Sequence, residues 1–178
     1  MENKFKIGSN RQVITPPLNT LLYGYETKRP ASKVNDDLCV NAIYCEQGKT
    51  NGVMISADIC SITKEVVQKI REKIYLETGI NKENVSISAT HTHSGPAIKS
   101  SGGWGVANLD YIENILLPMT VKAVKLAKKS ATYALLGVGT TKSLLGINRR
   151  EILPDGKVVL GQNQFGVSDN TMTVLSFK

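Results

Sequence analysis

Residues 52–90 constrain this chain more than any other stretch. Gly52-Val53-Met54-Ile55-Ser56-Ala57-Asp58 is rich in β-formers and follows a Gly48-Lys49-Thr50-Asn51 turn, so it reads as a strand. A helix comes next: Thr63 can cap it, Glu65 falls in its first turn, Val66, Val67, Ile70 and Ile74 recur at helical spacing, and Gly79 stands where a helix ends. Asn84 to Thr90 then alternates apolar with small polar residues, the pattern of a second strand. A strand, crossover helix and strand of this length predict a right-handed parallel unit. Its carboxyl edge, where open α/β sheets place their ligands, carries Asp58 after the first strand and His91 after the second.

The rest of the chain builds around that unit. Lys6 to Ile14 predicts a strand that stops at Thr15-Pro16-Pro17, and Leu38 to Cys45 pairs as a hairpin with 52–58. A second helical pattern runs from about Leu109 to Lys129, and Pro118 should kink or split it. Tyr133 to Gly139 is expected as a strand. Pro154-Asp155-Gly156 is a turn between short strands, and Thr171 to Phe177 alternates as a final one. The expected class is α/β in the mixed α+β sense: a layered mixed sheet whose strand-helix-strand unit carries a His-Thr-His motif at its carboxyl edge. A length of 178 residues suits one domain, 1–178, with a real core.

Composition narrows the function classes. Lys and Arg number 22 against 15 Asp and Glu, a net charge of +7, but the densest cluster, Lys122, Lys125, Lys128 and Lys129, closes a helical pattern where cations oppose the helix dipole. Aromatic residues are 6% of the chain and scattered, with no interleaved set to stack bases, so no nucleic-acid partner is expected. No apolar run approaches the roughly 20 residues of a bilayer span. The polar opening lacks the apolar core of a secretory signal, which points to the cytoplasm. Cys39, Cys45 and Cys60 form no CxxC pair and read as small buried apolar residues in a reducing compartment.

Chemistry has few carriers. Both histidines fall in His91-Thr92-His93, followed by Ser94-Gly95-Pro96 and the glycine-rich Ser101-Gly102-Gly103-Trp104-Gly105. Long loops over a ligand edge are usually functional. The pair can serve one centre once the strand has ended, as the Gly95-Pro96 break allows. One imidazole would then bind a metal and the other carry a proton at the substrate. By spacing alone this is a weak signal, because a catalytic zinc needs three protein ligands and the chain has no third histidine. Trp104 reads as a loop anchor.

Ala89-Thr90-His91-Thr92-His93-Ser94-Gly95-Pro96 resembles the signature of the neutral/alkaline non-lysosomal ceramidase family, in the N-terminal part of its catalytic domain. The resemblance extends over nearly the whole chain. Val13-Ile14-Thr15-Pro16-Pro17 and Tyr23-Gly24-Tyr25 are similar to its opening elements, and Asp36 to Cys39 to the stretch before its second strand. Ser56-Ala57-Asp58 is similar to a strand-end aspartate, and Gly146-Ile147-Asn148-Arg149-Arg150 with Thr171 to Leu175 to the Asn-Arg segment and the strand after it.

The resemblance implies hydrolysis of an N-acyl bond, as in ceramide, with zinc as cofactor. It implies that His91 is a metal ligand, that His93 is the general acid/base, and that Gly24 and Arg149 contact a small-molecule N-acyl substrate. Read by themselves, Gly24 is equally a turn glycine and Arg149 a surface arginine. Asp58 is expected either behind a metal ligand, orienting it, or as a cap.

The family's remaining zinc ligands have no counterpart here. The expectation is therefore an incomplete metal site, in an N-terminal piece of an enzyme or in a non-catalytic relative that binds a ligand or partner. Oligomeric state stays open.

Overall fold

In the computed structural model, residues 5–25 and 28–178 are described. The start of the polar opening read above for a secretory signal, Met1–Lys4, lies outside them. The chain divides into two compact units, 1–134 and 135–178.

The first unit is a two-layer α/β structure. Its sheet has five strands: β1 (Phe5–Val13), β2 (Cys39–Gln47), β3 (Thr50–Ala57), β4 (Val85–Ala89) and β5 (Thr132–Ala134), in the order β4-β3-β2-β1-β5. The β2–β3 hairpin is antiparallel, whereas β3 and β4 run parallel in register from Val53↔Val85 to Ala57↔Ala89. The mixed sheet with its strand-helix-strand unit thus forms as the sequence pattern demands. Alternation does the sorting: Val40, Ala42 and Tyr44 on β2 and Val53, Ile55 and Ala57 on β3 are all buried.

Two helices cover that face. Helix α1 (Lys64–Thr78) starts at Thr63, whose side chain accepts the Val66 N–H, and stops at Gly79 in the left-handed region (φ 72°). It buries Val66, Ile70 and Ile74, spaced at about one helical turn. The second helical region is in three parts: α2 (Leu109–Tyr111), a π-helical turn (Ile112–Leu116) and α3 (Leu117–Lys129). The cause is Pro118. It has no N–H to give Asn114, and its ring would strike that carbonyl in a regular helix. The π-turn widens the coil just before it, with Leu117 N–H bonding back to Ile112 O, so the axis continues. Helix α3 packs on β1 and β2 and buries Leu117, Val121, Val124 and Ala127. Of the basic cluster, Lys125 pairs with Glu77 and Lys128 donates to Thr78 O, which ties the end of α3 to the end of α1.

The expected strand 133–139 is two strands. β5 ends at Ala134 on the edge of the large sheet, and β6 (Leu136–Lys142) begins the second unit, where it pairs with β9 (Thr171–Phe177). β7 (Asn148–Ile152) and β8 (Val158–Asn163) form a hairpin, with Gly156 at φ 83° in its turn. No helix among the described residues is long and apolar enough to cross a membrane.

Candidate metal centre at the end of the parallel pair

The site begins where β3 and β4 stop. Thr90 N–H donates to Ala57 O and His91 N–H to Ile59 O, each at 3.0 Å, so the two chain segments stay laced beyond the sheet. His91 then takes φ 68°, one of two non-glycine residues in the left-handed region among those described. That conformation costs on the order of 1–2 kcal/mol and persists only where the surroundings over-determine it. They do so here: His91 Nδ1 lies 2.7 Å from Cys60 O, and Cys60 Sγ is 3.6 Å from the same nitrogen. A carbonyl only accepts, so Nδ1 carries the proton and Nε2 offers its lone pair outward.

That lone pair faces His93. The two Nε2 atoms are 3.4 Å apart and the rings meet edge to face, with centroids 5.0 Å apart. Convergence does not itself require the strand to end, since residues i and i+2 share a face. What the turn at His91 adds is exposure: His91 opens to solvent while His93 sits half-buried behind it.

The loop after β1 builds the other wall. Leu22 bridges Pro96, Tyr23 N–H donates to Gly95 O at 3.0 Å, and Gly24 N–H reaches Trp104 O at 3.3 Å. These bonds lay Gly24 against the His93 imidazole. A Cβ at Gly24 would stand 2.4 Å from His93 Nδ1, and its φ of 118° belongs to glycine, so the residue is required twice over. Trp104 closes the far side, 5.5 Å from the His93 ring and 5.8 Å from Tyr23.

Three donors of metal-binding type thus gather: Cys60, His91 and His93, with ligand atoms within 4.8 Å of one another. Cys60 goes beyond the reading of the cysteines as apolar filler. It is buried in a small cluster with Tyr23 and Ala97, where burial raises its thiol pKa and Lys99 lowers it in part. Its place two residues beyond Asp58, at the same carboxyl edge as His91, is the signal that could have marked it. A Cys/His/His set is one that zinc-type ions favour, and a backbone carbonyl behind a ligating imidazole is the usual support. The residues present fit a metal.

The other predicted residues lie as follows. The Asp58 carboxylate accepts Cys39 N–H at 2.9 Å, and its own N–H donates to Cys39 O, extending the hairpin by one rung. The group behind His91 Nδ1 is the Cys60 carbonyl. Arg149 belongs to the second unit, where its Nε donates to Gly161 O at 2.5 Å.

Comparison with known proteins bears on the fold. No family model matches the chain, and no curated protein does. Among solved structures, neutral ceramidase from Pseudomonas aeruginosa superposes with a TM-score of 0.77 at 21% identity over 99% of this chain. A structure described as ceramidase complexed with C2 gives 0.78 at 21% identity, again over 99%. The chain spans 30% and 29% of the length of those two chains. The fold is shared with that part of a ceramidase.

Proposed function

We propose that this chain carries the His-Thr-His corner of a zinc-dependent hydrolase of an N-acyl bond, ceramidase-like in its chemistry. The observation that carries the reading is the facing pair of Nε2 atoms, with His91 fixed in the tautomer that presents a free lone pair. His91 would hold the ion, with the Cys60 carbonyl keeping its ring in place. A zinc ion supplies, when bound, a Lewis acid that polarises a carbonyl and makes water more acidic. His93 is the proton carrier: an amine leaves an amide only if protonated, and an imidazole titrates near neutrality. Gly24 lays bare backbone against the His93 ring, where a side chain does not fit, and its contact with the acyl-amide group belongs to this proposal. Beside Ser94, a cleft of about 460 Å³ lined by Leu22, Arg29, Pro30 and Leu38 is of a size that takes a small ligand.

A second reading has its own observation. Two nitrogens about 2.0–2.1 Å from one tetrahedral zinc lie roughly 3.3–3.4 Å apart, so the 3.4 Å pair is also the spacing of two co-ligands. The test of the hydrolase reading is fatty-acid release from a panel of N-acyl substrates, ceramides included, with zinc supplied. Release that disappears in His93→Ala is the expected result. No release from any substrate would leave a ligand-binding relative of the fold.

A further inference from the structure

A catalytic imidazole is usually aimed by a hydrogen bond at its second nitrogen. His93 lacks one: its Nδ1 is buried and finds no hydrogen-bond partner among the described residues. Yet the ring is held on three sides. Gly24 backs Nδ1, Trp104 lies at 5.5 Å, and Tyr25 meets the ring edge to face at 4.7 Å. Arg29 joins ring and backbone. Its Nη2 donates to His93 O at 2.5 Å, and its guanidinium carbon stands 4.8 Å from the centre of the Tyr25 ring.

We infer that Arg29 and Tyr25 are positioning residues for His93, and that packing aims this imidazole where a carboxylate would otherwise do so. Arg29 fixes the His93 main chain and supports Tyr25 from behind; Tyr25 then fixes the ring. Arginine suits both tasks, because its planar fork donates in one direction and stacks in another. Tyr25 is 70% exposed, so its ring contributes little to the core and can be removed without unfolding the chain. The functional consequence, that His93 is held ready to transfer a proton, rests on the hydrolase reading. The positioning itself does not.

The test uses the fact that the chain has only two histidines, so its imidazole nuclear magnetic resonances form two sets. In metal-free protein, Tyr25→Leu is expected to move the His93 ring protons toward free-histidine positions and leave those of His91 in place. Tyr25→Phe should match the parent. Arg29→Ala should broaden the His93 set, and Arg29→Lys should restore it in part, since lysine keeps the donor and loses the stack. Unchanged His93 resonances in both Tyr25→Leu and Arg29→Ala would overturn the inference, as would equal movement of both histidines. Where hydrolysis is measurable, Arg29→Ala should lower kcat by about 10²-fold, the size expected for a misplaced catalytic group, with KM little changed. The spectra need neither substrate nor metal, so absent hydrolysis would count against the hydrolase reading alone.

Discussion

The two units solve the problem of a β-sheet face differently. In the first, strands β2 to β4 present alternating apolar residues to two helices, and Leu116, Ile70, Ile74 and Tyr111 are closed from solvent. In the second, β6 and β9 alternate in sequence just as cleanly, yet Val138, Met172, Val174 and Leu175 are each about half or more exposed, and no buried apolar side chain lies beyond Ala127. Two-stranded sheets without a covered face are marginal by themselves. The difference teaches where order comes from: alternation supplies a face, and only a second layer turns it into a core. The first unit has that layer and can hold His91 in a strained backbone conformation; the second carries Arg149 on an uncovered hairpin.

Truncations probe this contrast most strongly. Leu116→Ala or Ile70→Ala should cost about 2–5 kcal/mol in urea unfolding, because each leaves a cavity in a closed core. Leu145→Ala and Leu160→Ala, at 97% and 82% exposure, should stay within about 0.5 kcal/mol. A core-sized loss at Leu160 would break the comparison.

A pair of glycines sharpens it at smaller cost. Gly24→Ala should destabilise by about 1–3 kcal/mol and displace the His93 ring, since both its φ and its neighbour forbid a Cβ. Gly139→Ala on β6 meets nothing within 4 Å and has an ordinary φ, so it should be neutral or stabilising by about 0.4–1 kcal/mol. Thermal unfolding of both variants, with the imidazole resonances of the first, checks the pair.

Much of the first unit was legible because local chemistry and tertiary packing agree there. Thr63 and Gly79 bound α1 in the structure as in the sequence, and the spacing of Val66, Ile70 and Ile74 is the face it buries. Pro118 marks a break, but a sequence does not say whether a helix kinks or absorbs the defect in a π-turn. The break at Leu135 was illegible because no turn residue stands there; which sheet each half joins is decided by distant partners.

The candidate site shows the same division. His91 and His93 stand out by their rarity and their place at a strand end. Cys60 does not, since a buried cysteine is ordinary and its nearness to His91 comes from pairing at the edge of the parallel unit. The left-handed turn at His91 arises from contacts with Cys60, 31 positions away, and the approach of Tyr25 and Arg29 to His93 from contacts across more than 60 positions of chain, as the Arg29 bond to His93 O illustrates with a separation of 64.

The most direct measurement is the calorimetric affinity for zinc of the parent chain, His91→Ala and His93→Ala. Weak binding by the parent, as an incomplete site requires, is expected, abolished in His91→Ala and retained in His93→Ala, as separate duties for the two imidazoles require. Equal loss in both variants would make them co-ligands and contradict the assignment of His93 as proton carrier. No binding by the parent would contradict the metal centre itself.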